Sequence, residues 1–187
     1  IVVTAGTNGT ISGTGSLASG AATVTTGTTG DVAAVGNITL SANEINANGT
    51  TTPFVVSFGT ADGGTGTSTA GQLIMTTDGV GTGGDIYITS ANPLTTGAVS
   101  AGGAGALINI ATTSTSALTV AGTMSTAANA AGDSGGITLT TANGNVVVNG
   151  AVSTGSATVA SAGTAQSGAI VVTAGTNGTI SGTGSLA

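Results

Sequence analysis

Short apolar–polar–apolar triplets recur along the chain, most of them led by Gly or Asn. They are "GNITLS" (36–41), "GQLIMTT" (71–77), "GDIYITS" (84–90), "GALINIA" (105–111), "GGITLTT" (135–141) and "GAIVVTA" (168–174). A period of two sends successive side chains to opposite faces of a strand. This alternation turns Ile38 and Leu40, Leu73 and Met75, Ile86 and Ile88, Ile137 and Leu139, Val146 and Val148, and Ile170 and Val172 inward, with Leu107 as the inward residue of "GALINIA". Thr39, Thr138 and Val171 then face outward. Phe54, Val56 and Phe58 of "PFVVSF" share one side of a strand and read as the bulkiest core layer. The β-branched content favours strand. No 3.6-residue stripe exceeds two turns, and Gly and Thr are poor helix formers, so essentially no helix is expected.

Gly/Ala/Ser/Thr loops begin near Thr26, Gly59, Gly97, Ala127 and Ser161, at separations of 33, 38, 30 and 34 residues. The eighteen letters "IVVTAGTNGTISGTGSLA" of residues 1–18 recur verbatim at residues 170–187, an offset of 169. Residues 1–169 therefore read as one long repeat of about five units of some 34 residues, with 170–187 starting the next. Such units cannot bury their own apolar faces and stack on their neighbours to do so. The fold class expected is all-β, a parallel β-solenoid, with the two matching ends five layers apart on one axis. In one unit, strands fall within 135–142, 143–150 and 151–160, with a loop at 161–167. Asn-Gly pairs at 143–144, 149–150 and 177–178 offer positive-φ corners. In an antiparallel, immunoglobulin-like array the same pairs would mark hairpins; the even spacing favours coils. Residues 71–110 fit the spacing least well, and "GDIYITS" is assigned to a second face of the same coil as "GQLIMTT". Asn43, Asn92 and Asn143 each follow "SA" or "TA" and read as turn residues, with Asn92 on a different corner from Asn43.

Composition narrows the biology. The chain has no Lys, Arg, His, Cys or Trp and six acids, for a formal charge of −6. Thirty-five glycines would point to disorder, but hydrophobic residues make up 39% and charged residues only 3%, which favours folding. Nucleic acid and anionic lipid both need cations that are missing. No apolar run approaches the ~20 residues of a membrane helix. No secretory leader is visible, although the chain does not begin with Met. Disulfides and thiolate metal sites are ruled out, and trypsin-like proteases find nothing to cut.

Candidate chemistry is sparse. General acid–base work would fall to Asp31, Glu44, Asp62, Asp78, Asp85 and Asp133, of which Asp78 and Asp85 are close in sequence. They read as turn and strand-edge acids in solvent. Serine is abundant, but no Gly-x-Ser-x-Gly elbow is read in the chain, and no His or Lys is present to activate a serine. "TADGGTGTSTAG" (60–71) has the flavour of a calcium β-roll, yet Asp62 stands alone where such rolls place repeated acids. No catalytic residue, metal site or cofactor is expected. Asn8, Asn37, Asn48 and Asn177 lie in Asn-x-Thr sequons. Asn37 leads a strand, which leaves Asn8, Asn48 and Asn177 as the possible glycosylation sites. Outward Thr pairs such as Thr23 and Thr25, or Thr138 and Thr140, also match ice-binding solenoids, though units of 30 to 38 residues predict a ragged array.

The segments "GNITLSA" (36–42), "GGITLTTANGNVVVNGAVSTG" (135–155) and "IVVTAGTNGTISGTGSLASG" (1–20) resemble the rod repeats of filamentous-haemagglutinin-like and autotransporter-like bacterial exoproteins. The resemblance implies a right-handed parallel β-helix, export from the cell, and adhesion or surface-fibre roles. Absent cations and the verbatim duplication favour a uniform, non-catalytic extracellular fibre over a ligand-reading adhesin shaft. The partner expected is the chain itself, end to end or in lateral bundles, with any glycan or surface ligand unspecified.

Overall fold

The structure, a computed structural model, describes residues 1–5, 10–11, 16–19, 32–34, 37–45, 54–58, 67–69, 71–79, 84–113, 115–158 and 164–187. Its strands are β1 (Val2–Thr4), β2 (Thr10–Ile11), β3 (Ser16–Ser19), β4 (Val32–Ala34), β5 (Ile38–Ala42), β6 (Glu44–Ile45), β7 (Phe54–Phe58), β8 (Thr67–Thr69), β9 (Leu73–Thr77) and β10 (Ile86–Ser90). There follow β11 (Leu94–Ala101), β12 (Ile108–Thr112), β13 (Leu118–Val120), β14 (Met124–Thr126), β15 (Ile137–Thr141), β16 (Val146–Val148), β17 (Val152–Ser153), β18 (Ile170–Thr173) and β19 (Ile180–Ser181). No helix occurs among the described residues, so none is long and apolar enough to cross a membrane.

A nine-stranded sheet runs β1-β5-β9-β11-β13-β16-β19, with β14 and β17 alongside. An eight-stranded sheet runs β18-β15-β12-β10-β6-β2, with β7 on β10 and β3 on β7, and β4 pairs β8 separately. Every pairing between these strands is parallel. That excludes the antiparallel array. Between β12 and β15, its partner in the next layer, the chain passes through β13 and β14 in the other sheet. β9 and β10 likewise fall in different sheets.

Register gives the length of each layer. In the nine-stranded sheet Val3 pairs with Leu40, Leu40 with Met75, Met75 with Val99, Val99 with Met124, Met124 with Val152, and Val152 bridges to Leu186. These steps are 37, 35, 24, 25, 28 and 34 residues. In the eight-stranded sheet Ile11, Ile45, Ile86, Ile108, Ile137 and Ile170 form one file of isoleucines. The even 34-residue unit therefore fails in the middle of the chain, where the connections between strands are shorter. The duplicated ends shift as a result. Val2–Thr4 lies in the nine-stranded sheet, whereas its copy Val171–Thr173 lies in the eight-stranded sheet, so the copies do not occupy equivalent places five whole layers apart.

The core is the set of inward columns. Ile38, Leu40, Leu73, Met75, Ile86, Ile88, Ile137, Leu139, Val146 and Val148 are buried, joined by Ile45, Leu94, Val99, Leu118, Val120, Met124 and Val152. Leu107 is half-buried, and Ala106, Ile108 and Ile110 take the inward places of that strand. The reason is Asn109: the phase that turns Leu107 inward would bury a carboxamide, and burying one without a partner is costly. Ile170 and Val172 are only partly buried, because β18 is the edge of its sheet and has one neighbour. The loop expected at Gly97 is instead a register shift inside β11, between Thr96 and Val99, with Gly97 buried. Phe54, Val56 and Phe58 form strand β7, but their side chains lie outside the described residues, as do Asp31, Asp62, Asn8, Asn48, Thr26, Gly59 and Ser161.

Buried threonines fasten the corners. Thr126 Oγ1 donates to the Gly135 carbonyl at 2.8 Å and accepts the Gly155 N–H of the next layer at 3.1 Å. Thr141 Oγ1 donates to the Gly144 carbonyl and accepts Gly175 N–H at 3.2 Å. Thr77 makes the same relay from Gly84 to Gly102. Each hydroxyl thus closes its own corner and ties it to the next. A second set of ties precedes the strands: Asn37, Asp85 and Asn145 accept through Oδ1 the backbone N–H of Gln72, Leu107 and Thr179, one layer on, at 2.9, 2.8 and 2.9 Å. The Asn-Gly glycines serve a different end from the expected positive φ, which is found at Gly79, Gly84, Gly105 and Gly182. A Cβ on Gly144 would lie 2.1 Å from the Ser116 carbonyl, and one on Gly178 2.0 Å from that of Gly144. Only glycine lets successive corners approach so closely.

Thr96 is the exception, a fully buried hydroxyl with no hydrogen-bond partner. Two threonine-to-valine changes should then act in opposite directions. Thr126→Val strands the buried Gly135 carbonyl and the half-buried Gly155 N–H and should cost about 1–3 kcal/mol. Thr96→Val removes an unpaired hydroxyl at constant shape and should be neutral or stabilising. Equilibrium denaturant unfolding of both variants checks this, and equal losses would contradict it.

Candidate functional site

The described acids are placed by the register. Ile45 pairs with Ile86, so Glu44 and Asp85 lie side by side in adjacent layers. Burial, and then the negative charge of Asp85, push the Glu44 carboxyl above its ordinary pKa. Asp85 spends one carboxylate oxygen on Leu107 N–H. Asp78 is exposed, and the neighbouring Thr77 hydroxyl donates to the Gly84 carbonyl at 2.6 Å. Asp133 is exposed, and its Oδ1 accepts Gln166 N–H at 2.8 Å. The Asp85 and Asp133 carboxylates are thus layer ties. No three potential metal-ligating acids converge among the described residues.

One serine stands in a Gly-x-Ser-x-Gly pentapeptide, Gly132–Gly136, a pattern that the sequence reading passed over. In an α/β-hydrolase that pattern exposes a nucleophile on a strand-to-helix turn. Here Ser134 is buried at 6% exposure, no helix follows, and its Oγ accepts Gly168 N–H of the next layer at 2.8 Å. It is another layer tie.

What the structure does assemble is surface. Thr4, Ser41, Thr76, Ser100, Ser125 and Ser153 are register partners in sequence, a file of six outward hydroxyls crossing the nine-stranded sheet. Strand spacing puts successive members about 4.8 Å apart. No single coil contains this file, and residues 24 to 37 apart make it, so the sequence reading saw Thr pairs and missed the rank. On the eight-stranded face a groove of about 360 Å³ is lined by Asn109, Thr138, Val171, Asp133 and Gln166, among others. Asn177 is exposed, while the Asn37 side chain is engaged with Gln72. Asn92 follows β10 and Asn143 follows β15, two layers on in the eight-stranded sheet, whereas Asn43 follows β5 in the other sheet.

In comparisons with known proteins, no family model, no curated protein and no solved structure matches this chain.

The Glu44–Asp85 contact has a pH signature. A raised carboxyl pKa means that the folded chain holds this proton more tightly than the unfolded chain. The resulting stability is complete below the ordinary carboxylate range, about pH 4, and is lost as pH rises through the raised value. Glu44→Gln should therefore unfold at higher denaturant than the parent at about pH 7, with the gap closing near about pH 4. Unfolding curves at the two pH values measure it; a parent favoured at neutral pH would contradict the assignment.

Proposed function

We propose that the chain is a non-catalytic segment of an extracellular bacterial surface fibre, built as a right-handed parallel β-helix, or β-solenoid, that serves as a rigid rod in a matrix, sheath or attachment structure. The observation that carries this reading is the continuous parallel pairing from Val3 to Leu186, in which each layer hands its backbone bonds to the next over columns of aliphatic side chains. Right-handed coiling is the near-universal hand of parallel crossovers. Hydrogen bonds along the stacking axis resist extension, and interior columns of Ile, Leu, Val and Met exclude water. A surface of Thr, Ser and Asn without a single cation or tryptic site suits exposure to proteases. Its low charge density leaves rods free to lie side by side.

One observation favours a second reading. The file from Thr4 to Ser153 is more regular than the spacing of units had promised, and ordered hydroxyl files are what ice-binding solenoids use. The column beside it is mixed, however, running Val2, Thr39, Ile74, and four of the file's own six members are serines, Ser41, Ser100, Ser125 and Ser153, without the methyl that a threonine array presents.

Antibodies raised against the chain should decorate filaments on intact cells of the source organism, and diffraction from those filaments should show a reflection near 4.8 Å along the fibre axis. Labelling only after lysis would overturn the fibre reading. Thermal hysteresis of a purified sample should be absent; its presence would favour the ice-binding alternative.

A further inference from the structure

The large hydrophobic side chains exposed among the described residues are Ile1, Val2, Val171, Ile180 and Leu186. All five belong to the two copies of the eighteen-residue segment, and those copies form the open edges of the stack. β1 ends the nine-stranded sheet and β2 the eight-stranded sheet on one side; β19 and β18 end them on the other. Each copy has one strand neighbour, β6 beside Ile11 and β16 beside Ile180; Ile11 is 7% exposed and Ile180 55% exposed.

We infer that the edge formed by residues 170–187 is a docking site for a second copy of this chain, whose residues 1–18 lie on it in register, identical residue over identical residue. This rests on the stacked-coil reading proposed above. Ile1 of the second copy then extends the file Ile11, Ile45, Ile86, Ile108, Ile137, Ile170, and its Val3 extends Ile88, Ile110, Leu139, Val172. Its Ile11 covers Ile180, at the end of the column Leu94, Leu118, Val146. The contact continues pairing that already exists through every layer, so it needs no new geometry. Charge does not oppose it: the chain carries −6, yet neither copy of the segment holds an acid. Parallel edges with unpaired backbone groups are templates for addition, and like residues stack well in register.

The shift of the two copies to different sheets sets the orientation. Residues 1–4 enter the stack in the nine-stranded sheet and residues 170–173 in the eight-stranded sheet. Matching like to like therefore turns the second copy about the axis, so that its nine-stranded sheet begins on the first copy's eight-stranded sheet. Docking without that turn places Val3 over Leu186 and leaves the isoleucine file to Ile11.

The chain has no cysteine, so two single-cysteine variants of the whole chain report the register cleanly. Val2→Cys and Val171→Cys both change exposed side chains and leave the fold intact. Stacked neighbours in register meet the Cα spacing a disulfide requires, about 4.4–6.8 Å. A mixture of the two, oxidised at increasing concentration, should give the mixed dimer in excess over either symmetric dimer by about tenfold, the ratio for 1.4 kcal/mol of preference. Sedimentation of the unmodified chain should show rods that lengthen with concentration, and Ile180→Asp should stop the growth while Thr76→Asp, on the side of the stack, does not. Statistical dimer yields, a chain that stays monomeric, or equal effects of the two aspartates would overturn the docking. A monomer that keeps its parallel layers would still leave the fibre reading standing, because covalent continuation can build the same rod.

Discussion

Everything in this molecule hangs on backbone hydrogen bonds that run from layer to layer in one fixed register. A slip of one residue would turn every inward column outward. The sheet ladders alone are weakly specified in so repetitive a sequence, where Thr-x-Thr looks alike in many frames. The corners supply what the ladders lack. Thr77, Thr126 and Thr141 each hold a carbonyl of their own layer and an N–H of the next. Asn37, Asp85 and Asn145 each accept an N–H of the next layer in front of the strands. Glycines at the same corners permit the approach. A composition that looks like a linker is therefore a set of contact requirements.

Much of this was legible in the letters. The alternation in "GNITLS" or "GGITLTT" marks both the strand and its inward face, because Ile and Leu separated by Thr leave no choice of phase. "GALINIA" offers two phases, and the polar Asn109 decides for Ile108 and Ile110 over Leu107. Length was harder. Loops of Gly, Ala, Ser and Thr carry no internal signal for where a layer closes, so an even division of 169 residues misses layers as short as 22 residues, from Ile86 to Ile108. Gly97 reads as a loop in one dimension and is a buried kink in three. The hydroxyl file was invisible for the same reason: Ser100 and Ser125 become neighbours only once the layer lengths are known.

Several polar side chains enter the same economy. Ser134 and the carboxylates of Asp85 and Asp133 are spent as acceptors for the next layer's N–H groups. Burial and the Asp85 charge hold the Glu44 carboxyl above its ordinary pKa, and its position beside Asp85 follows from the pairing of Ile45 with Ile86. Function, in the reading proposed, lies in length and faces: hydroxyl files on one side, a polar groove on the other, and edges of repeated sequence that fit one another.

Spin-label distances test the stacking most directly. Labels at Thr4 and Ser125 span four layers of one outward file, and labels at Thr4 and Ser153 span five, so the separations should be about 19 and 24 Å at 4.8 Å per layer. The five-ångström increment is the crucial quantity, since Ser125 and Ser153 are 28 positions apart in the chain. Two narrow distributions one layer apart are what the stack requires; a broad spread, or an increment of several layers, would show that the strands are not piled in this register.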